Sequence, residues 1–196
     1  MEFISHRVNT IKELSRLPND HGAEIDLRDY GENIVIQHDP FVSGEDFEKY
    51  LRQYDHGTMI LNIKSERIEY NVLKLLKKYK INKYFFLDCS FPMINSLSNS
   101  GEKNIALRFS EFEGIDTIIN MKNKVNWIWV DCFSKFPLSI DNFYLLKSMG
   151  YKLCLVSPEL QGHSKNIQDK LIEKMKLIPF DAICTKNSKK WKKILK

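Results

Sequence analysis

A parallel α/β barrel of eight strands is the fold this sequence predicts, and three observations predict it. Short, continuous apolar runs alternate with amphipathic stretches along the whole chain, eight of each. The runs recur roughly every 20 to 36 residues, the spacing of strand–helix units in a parallel sheet rather than of hairpins. The length of 196 residues, with 43% hydrophobic content, buries one sizeable core but is short for two ordinary domains. Residues 1–196 therefore read as one compact α/β domain, a (β/α)8 TIM barrel with a β-hairpin extension at strand two. No linker, low-complexity segment or further repeat interrupts the alternation.

The first strand is expected at about Phe3 to His6, followed by a short helix near Thr10 to Leu17 that Pro18-Asn19-Asp20 ends. From Gly22 the residues alternate, so in a strand Glu24 and Asp26 leave the same face. Turn formers at Asp29-Tyr30-Gly31-Glu32-Asn33 predict a hairpin centred near Gly31, which returns His38 to the level of Glu24 within about one residue. Ser43-Gly44 leads a helix around Glu45 to Tyr54, and Asp55-His56-Gly57 breaks it before a third strand at Met59 to Lys64. Ile68, Val72, Leu75, Leu76 and Tyr79 then recur at helical spacing, with lysines on the other face.

Later strands are expected at Tyr84 to Cys89, Ile105 to Phe109, Trp127 to Cys132, Lys152 to Ser157 and Ala182 to Thr185. The helices between them fall at Pro92 to Leu97, Phe112 to Asn120, Ile140 to Met149 closed by Gly150, and Ile167 to Ile178 after a Ser164 cap.

Composition narrows the function classes. Cys89, Cys132, Cys154 and Cys184 lie in or at the end of apolar runs, with no C-x-x-C pair, and read as packing residues. No apolar run reaches the ~18 residues of a membrane span. The net charge of +5 gathers in the tail from Lys186 to Lys196, read as a solvated helix with Trp191, Ile194 and Leu195 turned inward, so no nucleic-acid partner is expected.

The chemistry-bearing residues follow one order: His6-Arg7, Glu24-x-Asp26, His38-Asp39-Pro40, then Asn62-Ile-Lys64, each at or near a predicted strand end. Barrel enzymes place their working groups there. Over residues 3 to 64 this order resembles the glycerophosphodiester phosphodiesterase family and, more loosely, its barrel relatives among phosphatidylinositol-specific phospholipases C. The family pattern is His-Arg-Gly, Glu-x-Asp, His-Asp, Glu-x-Lys. Here Val8 replaces the glycine, and Asn62 replaces a metal-binding glutamate.

The resemblance implies a metal-dependent phosphodiesterase acting on a glycerophosphodiester or similar small phosphodiester. His6 and His38 would be the acid–base pair, and Arg7 and Lys64 would bind substrate phosphate. Glu24, Asp26 and Asn62 would hold a divalent cation, Mg2+ or Ca2+. Those residue types suit the reaction. Two imidazoles with unperturbed pKa near 6.5 can give and take protons at neutral pH, and carboxylate oxygens bind hard cations. The alternative is a catalytically degenerate barrel that binds a phosphorylated ligand or partner, to which Val8 and Asn62 point. If His6 is catalytic there is no room before it for a cleavable leader, so the expected location is cytoplasmic. His21, His56 and His163 read as loop histidines, while Arg108, Asp131 and Lys186 lie near later strand ends where they could line the pocket.

Overall fold

A computed structural model describes residues 1–195; Lys196, the end of the predicted basic run, lies outside the described residues. β1 (Glu2–Ser5) and the one-turn helix α1 (Ile11–Leu14) lead into β2 (Gly22–Tyr30), which turns back into β3 (Asn33–Ile36). A two-residue β4 (Glu45–Asp46) opens α2 (Phe47–Leu51). Strand and helix then alternate through β5 (Met59–Ile63), α3 (Glu69–Lys78), β6 (Tyr84–Leu87), α4 (Phe91–Asn99), β7 (Ala106–Phe109) and α5 (Ile115–Asn120). They continue through β8 (Trp127–Val130), α6 (Ile140–Ser148), β9 (Lys152–Val156), a 3-10 turn at Pro158–Gln161, α7 (Lys165–Met175), β10 (Ala182–Thr185) and α8 (Ser188–Ile194).

Eight of these strands run parallel in one curled sheet. β1 lies between β2 and β10; the order runs from β2 through β5 to β6, and from β10 through β9 and β8 to β7. β6 and β7 meet through one parallel bridge, Phe86 with Ile105, and the Phe86 N–H donates to the Asn104 carbonyl at 2.8 Å.

Alternation along each strand builds two apolar layers. Inside the curl, Ile4, Ile60, Phe85, Trp127, Trp129 and Cys184 form one buried cluster, with Phe85 stacked on Trp127 at 4.5 Å between ring centres. The intervening Ala23, Ile25, Leu27 and Leu61 pack outward against helix residues such as Tyr50, Val72 and Leu146. Burial on both faces is why the strands read as continuous apolar runs rather than alternating ones. All four cysteines are free; three of them are buried.

Two elements start later than expected. Glu45 and Asp46 pair with Ile36 and Val35 of β3, so the helix expected from Glu45 begins at Phe47, with the Asp46 carboxylate accepting from the Lys49 N–H. The helix expected from Phe112 begins at Ile115, because Ser110 donates its hydroxyl to Glu113 and folds residues 110–113 into a loop. At the C-terminus Trp191 is fully buried, and Ile194 and Leu195 pack against the core.

Candidate active site

The site follows from strand register. Ser5 pairs with Ala23, Ala23 with Met59, and Asp26 with Asn62. Above the inner apolar layer, the next inward positions at the C-terminal strand ends are therefore polar: His6, Glu24, Asp26, Asn62 and Arg108. Fully buried carboxylates at this level need partners, since an uncompensated charge in such a place is costly.

Glu24 Oε2 accepts the Arg7 backbone N–H at 2.7 Å, and Oε1 accepts the Asn62 amide at 2.9 Å. Arg7 presents that N–H with φ of +54°, a left-handed conformation, while the Val8 N–H donates to the Glu24 carbonyl at 2.9 Å. The Val8 side chain is buried in the outer core. Valine in place of the family's glycine is thus accommodated by the turn being made at Arg7. Asp26 Oδ2 accepts from Asn9 at 2.8 Å and lies 3.6 Å from Arg7 Nε. Asp26 Oδ1 is buried without a hydrogen bond, with the Lys64 ammonium 3.4 Å away. Lys64 itself donates to Asn62 Oδ1 at 2.8 Å.

This proximity sets the protonation states. Burial, reinforced by the neighbouring Asp26 charge, pushes the Glu24 carboxyl up to about 7, against the opposing pull of the Asn62 and Arg7 hydrogen bonds and of Lys64. Burial also pushes His6 down to about 4, helped by Arg7 and Lys186 and opposed by Asp26. His6 is therefore a neutral imidazole near pH 7, with Nε2 3.8 Å from Glu24 Oε2. Such a ring can accept a proton.

His6, Arg7, Glu24, Asp26, Asn62 and Lys64 are brought together at one strand-end cluster. His38 stands at its rim. The Gln37 N–H donates to the Asp26 carbonyl, which carries the hairpin register as far as the site. His38 Nδ1 is 2.8 Å from Asp39 Oδ1, and its carbonyl accepts from Arg28. Two of the remaining histidines bond loop carbonyls, His56 that of Leu17 and His163 that of Cys132.

A second cluster continues the layer across the mouth. Arg108 donates to both Asp88 and Asp131, and Gln161 from the 3-10 turn also donates to Asp131. Asp88 lies 3.8 Å from Lys64 and so joins the two clusters. Beside it, a cavity of about 340 Å³ opens between the ends of β6 and β7, lined by Asp88, Phe91, Ile94, Arg108 and Thr117. Asn9, Asp88 and Gln161 were not among the residues the sequence singled out. The only signal for Asn9 was its place three residues after His6.

Metal fit is mixed in donors but favourable in charge. Two buried carboxylates, one with an unbonded oxygen, suit a hard cation; the third expected ligand, Asn62, directs its amide N–H at Glu24 and its oxygen at Lys64. Among the described residues no three His, Cys, Asp or Glu side chains are grouped to hold a metal.

Three solved structures share this architecture. The chain superposes on a candidate glycerophosphodiester phosphodiesterase from Galdieria sulphuraria with a TM-score of 0.72 at 16% identity, covering 99% of this chain and 97% of that one. The fold is that of the glycerophosphodiester phosphodiesterases. A glycerophosphodiester phosphodiesterase from Agrobacterium tumefaciens matches with a TM-score of 0.68 at 12% identity, covering 94% and 96%. A candidate glycerophosphoryl diester phosphodiesterase from the same organism matches at 0.66 and 12%, covering 94% and 93%. No protein-family model and no curated protein sequence matches the chain. Within this phosphodiesterase fold the polar cluster lies at the strand ends that TIM-barrel enzymes use. Among the described residues no helix is long and apolar enough to cross a membrane.

Proposed function

We propose that the protein is a phosphodiesterase cleaving a glycerophosphodiester or similar small phosphodiester, its curled sheet acting as a (β/α)8 barrel with the β2–β3 hairpin over the mouth. One observation carries the reading: an imidazole, two buried carboxylates and two cationic side chains converge at the C-terminal strand ends. In this reading His6 takes the proton of the attacking oxygen, while His38, its ring oriented by Asp39, gives one to the leaving oxygen. Arg7 and Lys64 hold the non-bridging phosphate oxygens as charge builds in the transition state. Glu24 and Asp26, with the Asn62 oxygen, would hold Mg2+ or Ca2+, which when bound supplies further charge neutralisation.

The test is hydrolysis of bis(p-nitrophenyl) phosphate and of glycerophosphodiesters, with and without added Mg2+ or Ca2+, against a phosphomonoester control. Diester turnover that chelator abolishes and either cation restores is the expected result. Turnover indifferent to chelator would remove the metal and leave Arg7 and Lys64 carrying the charge. No turnover under any condition would favour a degenerate barrel that binds a phosphorylated ligand or partner. That alternative draws its support from Asn62, whose amide already occupies Glu24 Oε1 and whose oxygen already accepts from Lys64.

A further inference from the structure

The last strand brings to the site a cation that the proposed reaction leaves unused. Ser5 pairs with Thr185, and the His6 backbone N–H donates to the Thr185 carbonyl at 3.1 Å, so Lys186 stands level with His6 at the neighbouring strand end. Ala182 and Cys184 of β10 belong to the inner apolar cluster, as does Ile4 of β1. Strand alternation then gives inward positions to the residues two further on from Cys184 and Ile4, which are Lys186 and His6. β1 lies between β10 and β2, so Lys186 flanks His6 on the side away from Glu24 and Asp26. Its charge reaches the ring, for Lys186 is among the cations that hold the His6 imidazole down.

The other cations of the polar layer are already engaged. Arg7 and Lys64 share Asp26, at 3.6 and 3.4 Å, and Lys64 also donates to Asn62. Arg108 is held by Asp88, Glu113 and Asp131. Lys186 is exposed and, among the described residues, its ammonium is in no ion pair. Glu159, in the turn after β9, is taken by the Thr185 hydroxyl and the Trp191 indole instead. The backbone on either side of Lys186 is nonetheless fixed. Thr185 is buried and its hydroxyl oxygen accepts the Asn187 N–H at 2.9 Å, while the Asn187 side chain accepts the Lys190 N–H at 3.0 Å and caps α8. A free ammonium on a pinned turn, beside a ring that can accept a proton, suits an incoming anion.

We infer that Lys186 is a further substrate-binding residue, its ammonium taking a non-bridging phosphate oxygen on the β10 side of His6 while Arg7 and Lys64 face the phosphate from the carboxylate side. The phosphodiester as ligand rests on the function proposed above. A phosphate oxygen that meets Arg7 or Lys64 competes with Asp26, whereas one that meets Lys186 displaces only water. The unshared cation therefore contributes more to holding the anion. A phosphate gripped from both sides lies against His6, the group proposed to take the attacking oxygen's proton.

Calorimetric titration with inorganic phosphate and steady-state hydrolysis of bis(p-nitrophenyl) phosphate test it in parallel. Lys186→Met should weaken phosphate binding and lower kcat/KM, each about ten- to a hundredfold, the worth of one charged hydrogen bond, with the kinetic loss mainly in KM. Lys186→Arg should recover most of both. Lys189→Met, three residues on and also exposed, should bind and turn over as wild type does. All three variants should melt with wild type, because both lysines are exposed. A Lys186→Met chain that binds phosphate and hydrolyses diester like wild type overturns the inference. So does a Lys189→Met chain that loses as much as Lys186→Met, since the effect then belongs to the overall charge of the tail. Phosphate binding that depends on Lys186 in a chain that turns over no diester refutes the proposed activity and leaves the anion seat at Lys186 standing. Wild type that neither binds phosphate nor turns over diester refutes both.

Discussion

Asn62 and Glu24 are joined side chain to side chain: the asparagine amide donates to Glu24 Oε1 at 2.9 Å, diagonally across strands β2 and β5. The contact lets a glutamate sit fully buried beside Asp26 without a third negative charge. Putting a carboxylate at position 62 should therefore expose what the asparagine suppresses. Asn62→Glu is expected to lower the metal-free melting temperature by several degrees, since three acids would share one buried site, and to recover it with Mg2+ or Ca2+. Calorimetric titration should show tighter binding than in wild type. A variant that melts at the wild-type temperature and ignores both ions would sink the metal assignment.

His6→Ala and His38→Ala should each reduce diester turnover by about 10² to 10⁴, the usual worth of a general acid or base. Both should melt within a few degrees of wild type, because neither ring is fully buried, the His6 side chain keeping 16% and the His38 side chain 40% of its exposure. Steady-state kinetics alongside circular dichroism melts separates the two effects. A variant with wild-type turnover removes its histidine from the mechanism.

Gly31 turns the hairpin with φ of +61°, and a Cβ there would meet no atom within 4 Å. The cost of a side chain is thus backbone conformation alone. Gly31→Val should lose about 1 to 2 kcal/mol, or roughly 2 to 8 °C, whereas Gly31→Asn, which tolerates left-handed φ, should lose less. Equal melting temperatures for the two would mean that the turn relaxes freely.

Glu111 supplies a pH signature away from the site. Partial burial raises its carboxyl, but hydrogen bonds from the Ser134 hydroxyl and the Ser134 and Lys135 N–H groups outweigh that and hold it down at about 2. A carboxyl lowered on folding stabilises the protein above its ordinary pKa near 4.5, and the contribution fades as pH falls from there through 2. Glu111→Gln should melt about 3 to 6 °C below wild type at pH 6, and the gap should shrink below pH 4.5 and close only as pH falls through 2. A gap that stays constant with pH would assign the effect to shape rather than charge.

Much of the site was legible because it lies on strands. Alternation alone places Glu24, Asp26 and Asn62 inward, and the turn at Gly31 sets the register that carries Gln37 to Asp26. What escaped the sequence depends on contacts between distant segments. Gln161 reaches Asp131 from a 3-10 turn 30 residues later. Glu45 and Asp46 have ordinary helix-start chemistry, yet they pair with β3, and nothing local to them encodes that partner. Asn9 serves Asp26 from a loop, where no periodicity marks a residue as inward.

The single bridge between Phe86 and Ile105 gives the curled sheet one slack joint. Elsewhere neighbouring strands share registers of two to five residues, so thermal opening of the sheet should begin between β6 and β7 rather than spread evenly around it. The cavity beside Asp88 and Arg108 borders that joint. Anything that fills it spans the seam, with β6 on one side and β7 on the other, and acts as a clasp. Occupancy of the mouth and tightness of the curled sheet are in this way one property, and a chain with its mouth filled should be slower to come apart than the same chain empty.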